Sequence, residues 1–325
     1  MRPSQRTHRR RIGVIDIGTN STKLSVGVVH DHGVATTFFA RRTSRLGEHL
    51  THSGRISEAA AARTARDVRA LSLLARSHGA NVVIGVGTYA FRQAANGDVV
   101  ARRIARRSGV PIRVLTGREE AMLAYLSVLT RLHRPKPYTF VIDVGGGSVE
   151  FVAAHRGRIV RARSLALGAL RLTERHLHSD PIAQSERRAL ERQINAAVAR
   201  ALTPFRRVPP SQIDLVASGG SVTTALAMLA PRARRVADAR ISRSDVAALA
   251  DTCFAKTLAQ RKRLPGLPAD RADIIPAGLA VVNAFLSQSG KRVLSVNDGG
   301  LREGVLIAID AEFEAMAEEQ HPHRH

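Results

Sequence analysis

The chain has 325 residues, 44% hydrophobic and 24% charged, an ordinary globular composition with room for two domains at ~150 residues each. Its single cysteine, Cys253, excludes an intramolecular disulfide and makes the cytoplasm the default compartment, and the lack of any run of ~18 uncharged apolar residues excludes a membrane helix. Lys and Arg number 50 against 27 Asp and Glu, a formal net charge of +23, which points to an anionic partner and reads equally as the bias of an Arg-rich, Lys-poor chain.

Residues 1–11 hold five Arg without periodicity and are expected to form a disordered basic arm. Three strands should follow, over 12–18, 23–29 and 34–40, the first two joined by a Gly-Thr-Asn-Ser turn. Ser57 is the expected N-cap of a helix running to about 78, with Gly79 as its stop. A strand over 81–87, a helix over 98–108, a strand over 111–115 and a helix over 118–132 complete an α/β alternation. The Pro-containing stretch 134–137 is the expected boundary. Strands over 138–144, 149–154 and 158–165 then repeat the opening meander. Helices over 169–176 and 184–202, a strand over 214–217, helices over 222–229, 244–258 and 273–287, a strand over 292–296 and a helix from about 301 follow. His321 to His325 read as a solvated end. Two lobes are thus expected, 12–133 and 134–302, with the last helix, about 303–320, returning to the first.

The second meander repeats the first in sequence. Val14 to Leu24 (VIDIGTNSTKL) aligns with Val141 to Phe151 (VIDVGGGSVEF), five of eleven positions being identical. Asp16 falls on Asp143, Gly18 on Gly145 and Ser21 on Ser148, while Lys23 stands where the second copy has Glu150. Turns this rich in Gly, Ser and Asn aim backbone N–H groups into a concavity that suits phosphate, and two facing turns would clamp a chain of phosphates. Asp16 and Asp143 close apolar strands where a plain turn needs no acid, and hard oxygen ligands for Mg²⁺ are the obvious use. With no Trp, three Tyr and nine Phe, the chain has few platforms for stacking bases, which counts against a dedicated nucleic-acid binder.

Taken together and in order, Ile15-Asp-Ile-Gly-Thr-Asn-Ser21 with Lys23, Gly117-Arg-Glu-Glu-Ala121, Ile142-Asp-Val-Gly-Gly-Gly-Ser-Val-Glu150, Ser218-Gly-Gly-Ser221 and Gly300-Leu-Arg-Glu-Gly304 resemble the exopolyphosphatase and guanosine pentaphosphate phosphohydrolase family. The resemblance runs from about 12 to 309. It implies an α/β fold of two ribonuclease-H-like lobes of the actin-like ATPase superfamily, with the active site in the cleft between them. It implies Glu120 as the catalytic carboxylate that activates water, and Asp143 and Glu150, joined by Asp16, as holders of Mg²⁺ or Mn²⁺. Asn20, Ser21, Lys23, Ser148 and the amides of Gly145, Gly146 and Gly147 would grip phosphate, with Arg92, Asn96 and Arg271 facing the same oxygens. Glu119, next to Glu120, is expected to serve only the helix N-terminus. The family commonly has Arg at the position of Lys23 and Thr at that of Val149. Longer members carry a further metal-dependent His-Asp domain, so the short class is implied.

The expected function is metal-dependent release of terminal phosphate from inorganic polyphosphate by a cytoplasmic enzyme, with closure of the lobes on substrate. Guanosine pentaphosphate hydrolysis is the nearest alternative. A non-catalytic sensor of either ligand and a sugar or acetate kinase are others. A homodimer is expected, with no membrane and no specific nucleic acid as partner.

Overall fold

A computed structural model describes residues 10–30, 33–132, 135–230 and 239–320. Most of the basic arm, Arg134 of the expected boundary, and the His321 to His325 end lie outside them. The first sheet opens as an antiparallel meander, β1 (Ile12–Ile17), β2 (Thr22–His30) and β3 (Gly33–Arg42). After α1 (Leu50–Ser53) and α2 (Glu58–Ser77) comes β4 (Val82–Gly87), parallel to β1. Helices α3 (Tyr89–Gln93) and α4 (Gly97–Ser108) lead to β5 (Ile112–Val114), and the sheet order is β3-β2-β1-β4-β5. Ser57 caps α2, its hydroxyl accepting from the amide of Ala60.

The chain then enters α5 (Gly117–Leu129) and repeats the meander as β6 (Tyr138–Val144), β7 (Val149–His155) and β8 (Arg158–Leu165). There follow α6 (Ala169–His176), α7 (Gln184–Leu202), β9 (Ile213–Ser218), α8 (Gly220–Leu229), β10 (Arg240–Ser242), α9 (Arg243–Ala255), α10 (Leu258–Arg261), α11 (Ile275–Gln288), β11 (Val293–Val296) and α12 (Gly300–Gln320). The second sheet runs β10-β11-β9-β6-β7-β8, with β6, β9 and β11 parallel. Each sheet is therefore a meander extended by two parallel strands, the ribonuclease-H-like arrangement, and the second adds β10 at its edge. Sequence patterning gives no sign of β10, whose three residues pair with β11. The helix expected over 244–258 is two, since the chain breaks at Lys256, and Thr257 caps α10 with a reciprocal box to Gln260.

The inner face of the second sheet buries Phe140, Phe151 and Phe285 with the apolar stripes of α7 and α11. The first sheet buries Ile15, Ile17 and Leu24 against Val68 and Leu71 of α2. On the opposite faces the helices cross over. Tyr125 and Val128 of α5 pack on Val141 and Val152 of the second sheet, while Leu301, Val305 and Leu306 of α12 pack on Ile12 and Val14 of the first. Helix α5, expected with the first lobe, thus covers the second. The two helices touch closely at Gly304, where a Cβ would lie 1.8 Å from the carbonyl oxygen of Leu123. Cys253 is fully buried in the second core.

Candidate active site

Between the sheets lies a cavity of about 710 Å³ walled by the two equivalent turns, β1–β2 and β6–β7. The sequence repeat becomes a repeat of register. Asp16 pairs with Lys23 across β1 and β2, and Asp143 with Glu150 across β6 and β7. Each turn is closed by the same bond, the amide of Gly18 to the carbonyl of Ser21 (3.1 Å) and that of Gly145 to Ser148 (3.0 Å). The carbonyl of Gly146 accepts from the amide of Leu170 at the start of α6 (2.9 Å), whereas the amides of Gly146 and Gly147 donate to no backbone carbonyl among the described residues. The second turn therefore keeps donors for an oxyanion. The turns meet tip to tip: a Cβ on Gly146 would lie 2.9 Å from the Cβ of Asn20 and 3.0 Å from its amide nitrogen.

Glu120 enters from the first turn of α5, where Thr116 and Glu119 form a capping box. The Glu119 carboxylate accepts from the amide of Thr116 (2.7 Å) and from Arg113 (2.6 Å), leaving Glu120 as the residue of this turn that lines the cavity. Glu120 is 7% exposed and its Oε2 accepts from Arg92 Nη1 at 2.7 Å. Burial, reinforced by the charge of Glu150, raises the Glu120 carboxyl well above the ordinary 4.5, and Arg92 opposes the shift. Glu150 Oε1 accepts from Ser148 (2.7 Å) and from Ser164 on β8 (2.8 Å); burial nonetheless pushes its carboxyl up to about 7. Asp143 is likewise raised by burial, against the attraction of Lys23. Burial first, then Arg302, brings Lys23 down to about 8.

Asp16, Asn20, Ser21, Lys23, Gly145, Gly146, Gly147, Ser148 and Arg271 all line the cavity with the three carboxylates. Arg271 is buried, its Nε lacks a hydrogen-bond partner, and burial lowers it to about 10. Arg92 stands behind Glu120 rather than on the wall, with Nη1 also donating to the carbonyl of Leu115 (2.8 Å) and Nη2 buried without a partner. Asn96 is placed elsewhere: its amide nitrogen and oxygen both bond the backbone of Ile56 at 2.9 Å, so it secures the approach to α2 and does not line this cavity. Arg302 was not among the expected site residues. Its Nε donates to Ser25 (2.8 Å), its Nη1 is 3.9 Å from Asp16, and its guanidinium lies 5.1 Å from the ring centroid of Phe39. The only hint in the sequence was its place in Gly300-Leu-Arg-Glu-Gly304, which carries no sign of what the arginine would touch.

Among the described residues no group of three or more His, Cys, Asp or Glu side chains is placed to hold a metal. Asp143 and Glu150 do present two hard carboxylates beside the turns, the donor set that suits Mg²⁺ when phosphate oxygens and water complete its shell. Burial is the main cause that raises both carboxyls, and a dication held between them would favour their ionised forms.

Two ribonuclease-H-like lobes that close paired Gly-Ser turns and a buried carboxylate–arginine pair around one cavity define a phosphate-handling protein of the actin-like class. A family model described as the Ppx/GppA phosphatase family matches residues 28–312, and the chain belongs to that family. It is 29% identical over 314 residues to "Exopolyphosphatase 1" of Mycobacterium tuberculosis, covering 94% of this chain and 90% of that one. It is 30% identical over 323 residues to "Exopolyphosphatase 2" of the same organism, covering 92% and 98%. Among solved structures, an exopolyphosphatase from Cytophaga hutchinsonii is similar with a TM-score of 0.82 and 25% identity over 92% of this chain and 97% of that one. The Aquifex aeolicus member of the Ppx/GppA family gives 0.74 and 26%, over 93% and 98%.

Proposed function

We propose that the chain is an exopolyphosphatase that releases terminal phosphate from inorganic polyphosphate. The observation that carries this reading is buried Glu120, paired with Arg92 behind it, on the wall of a cavity whose second turn leaves the amides of Gly146 and Gly147 free of backbone partners among the described residues. The amides of Gly146 and Gly147 and the side chains of Asn20, Ser21, Lys23, Ser148 and Arg271 would hold successive phosphate groups. Asp143 and Glu150, with Asp16 nearby, would hold Mg²⁺ or Mn²⁺, whose chemistry there is to neutralise phosphate charge. Glu120 orients a water against the terminal phosphorus and takes its proton as the P–O anhydride bond breaks and the shortened chain departs. The Arg92 guanidinium favours the ionised form of Glu120 that this task needs. Such placement and charge compensation is most of what phosphoryl transfer to water requires.

No helix of the described residues is long and apolar enough to cross a membrane. The single buried thiol supports a cytoplasmic placement. The test is phosphate release from long-chain polyphosphate with Mg²⁺, run beside guanosine pentaphosphate, for the wild type and Glu120→Gln. Release from polyphosphate that collapses in the variant is expected; release from the nucleotide alone would move the function to alarmone turnover. Sedimentation of the same samples reads the proposed homodimer.

A further inference from the structure

A second cavity, of about 320 Å³, lies on the far face of β8, between that strand and α7. Arg161 and Arg163 pair in register with Ala153 and Phe151, so alternation turns both toward the α7 side of the sheet. Arg200 of α7 meets them across the cavity, and no acidic residue lines it. Arg161 Nε is buried without an acceptor, and none of the three arginines has an ion pair among the described residues. Gln193 accepts from His176 Nε2 through Oε1 (2.7 Å), which leaves its amide N–H groups for the cavity.

Arginine abundance does not account for this convergence. On the same helix Arg187 is held by Glu191 (2.9 Å) and Asp251 (2.6 Å) and lies 4.6 Å over Phe254. Guanidinium forks match phosphate oxygens, so three arginines around one hollow, with no carboxylate among its lining, suit an anion that several of them can hold at once. The hollow also adjoins the active site through one strand. Ser164, between Arg163 and Leu165, reaches through to Glu150 from the other face. Because β8 is the edge of its sheet, a flexible polyanion leaving the cleft has only that strand's free edge to round.

We propose that this pocket is a second phosphate-binding site that holds a stretch of the polyphosphate chain remote from the end being cleaved. The proposal rests on the function read above and adds to it a basis for preferring long chains. The test compares Arg161→Gln/Arg200→Gln with Arg188→Gln/Arg192→Gln, a pair on α7 that loses the same charge outside the pocket. KM for long-chain polyphosphate should rise about tenfold in the first variant only, the loss expected when one of two linked attachments is removed, with kcat and the kinetics on tripolyphosphate unchanged. An equal rise in both variants, or an equal rise on tripolyphosphate, would overturn it. Binding of long-chain polyphosphate to each variant in a Glu120→Gln background, followed by calorimetry, separates the two readings. If the wild type releases no phosphate the functional reading falls, while a binding loss confined to the Arg161/Arg200 pair upholds the second site and unchanged binding removes it.

Discussion

At the scale of single residues, Glu120 and Arg92 are best understood as one titrating unit. A carboxyl raised above 4.5 is neutral at lower pH, and a neutral acid accepts no proton from water. The acid limb of the kcat profile should therefore lie above pH 4.5. Replacing Arg92 by Met removes the charge that opposes the shift and should move that limb further toward alkaline pH, a change that pH–rate profiles of both proteins would register. Glu120→Gln should lower kcat by about 10² to 10⁴ with little change in melting temperature. A second buried acid, Glu303, depends on Arg131, whose Nη2 lies 3.0 Å from it while Nη1 holds Asp298 at 2.7 Å. Glu303 is 3% exposed, so Arg131→Met leaves it without its cation. The half-exposed arginine limits the cost to about 2 kcal/mol, measurable by urea titration.

At the scale of elements, the turns and caps show what a sequence can and cannot disclose. The duplication of VIDIGTNS and VIDVGGGS announced two equivalent strand–turn–strand units, and the register of Asp16 with Lys23 and Asp143 with Glu150 follows that alignment. Ser57 could be read as a cap because capping is local, three residues from donor to acceptor. Asn96 and Arg302 could not be placed, because their partners Ile56 and Ser25 are 40 and 277 residues away and no short-range pattern records such meetings. The crossing of α5 and α12 was half hidden for the same reason: the stretch before a proline ends a helix without saying which sheet it covers. Gly146→Ala tests the tip-to-tip contact. A methyl 2.9 Å from the Cβ of Asn20 must push the turns apart, so kcat should fall at least tenfold while each lobe stays folded by circular dichroism.

At the scale of the whole molecule, the lobes are tied together by charge as well as by helices. Asp270, just before Arg271, accepts two bonds from Arg41 of β3 (2.8 and 3.0 Å) and one from Thr43, and Asp273 pairs with Arg45 at 2.7 Å. Tyr89 accepts from Arg171 at 2.6 Å, joining α3 to α6. Asp270→Asn with Asp273→Asn should open the empty cleft, seen as a larger radius of gyration by small-angle scattering that shrinks when tripolyphosphate is added. A formal charge of +23 should also make capture of long polyphosphate strongly salt-dependent, with KM rising about tenfold or more between 50 and 200 mM salt.

The placement of α12 bears on how the protein comes into being. Ile12 and Val14 leave the ribosome nearly 300 residues before Leu301, Val305 and Leu306, which cover their outer face. At about 5–20 residues per second, that greasy surface stays bare for tens of seconds of synthesis. The first sheet cannot finish folding until α12 arrives, which makes the growing chain a natural client for a holding chaperone. A chain stopped after residue 299 should aggregate, however sound its first sheet.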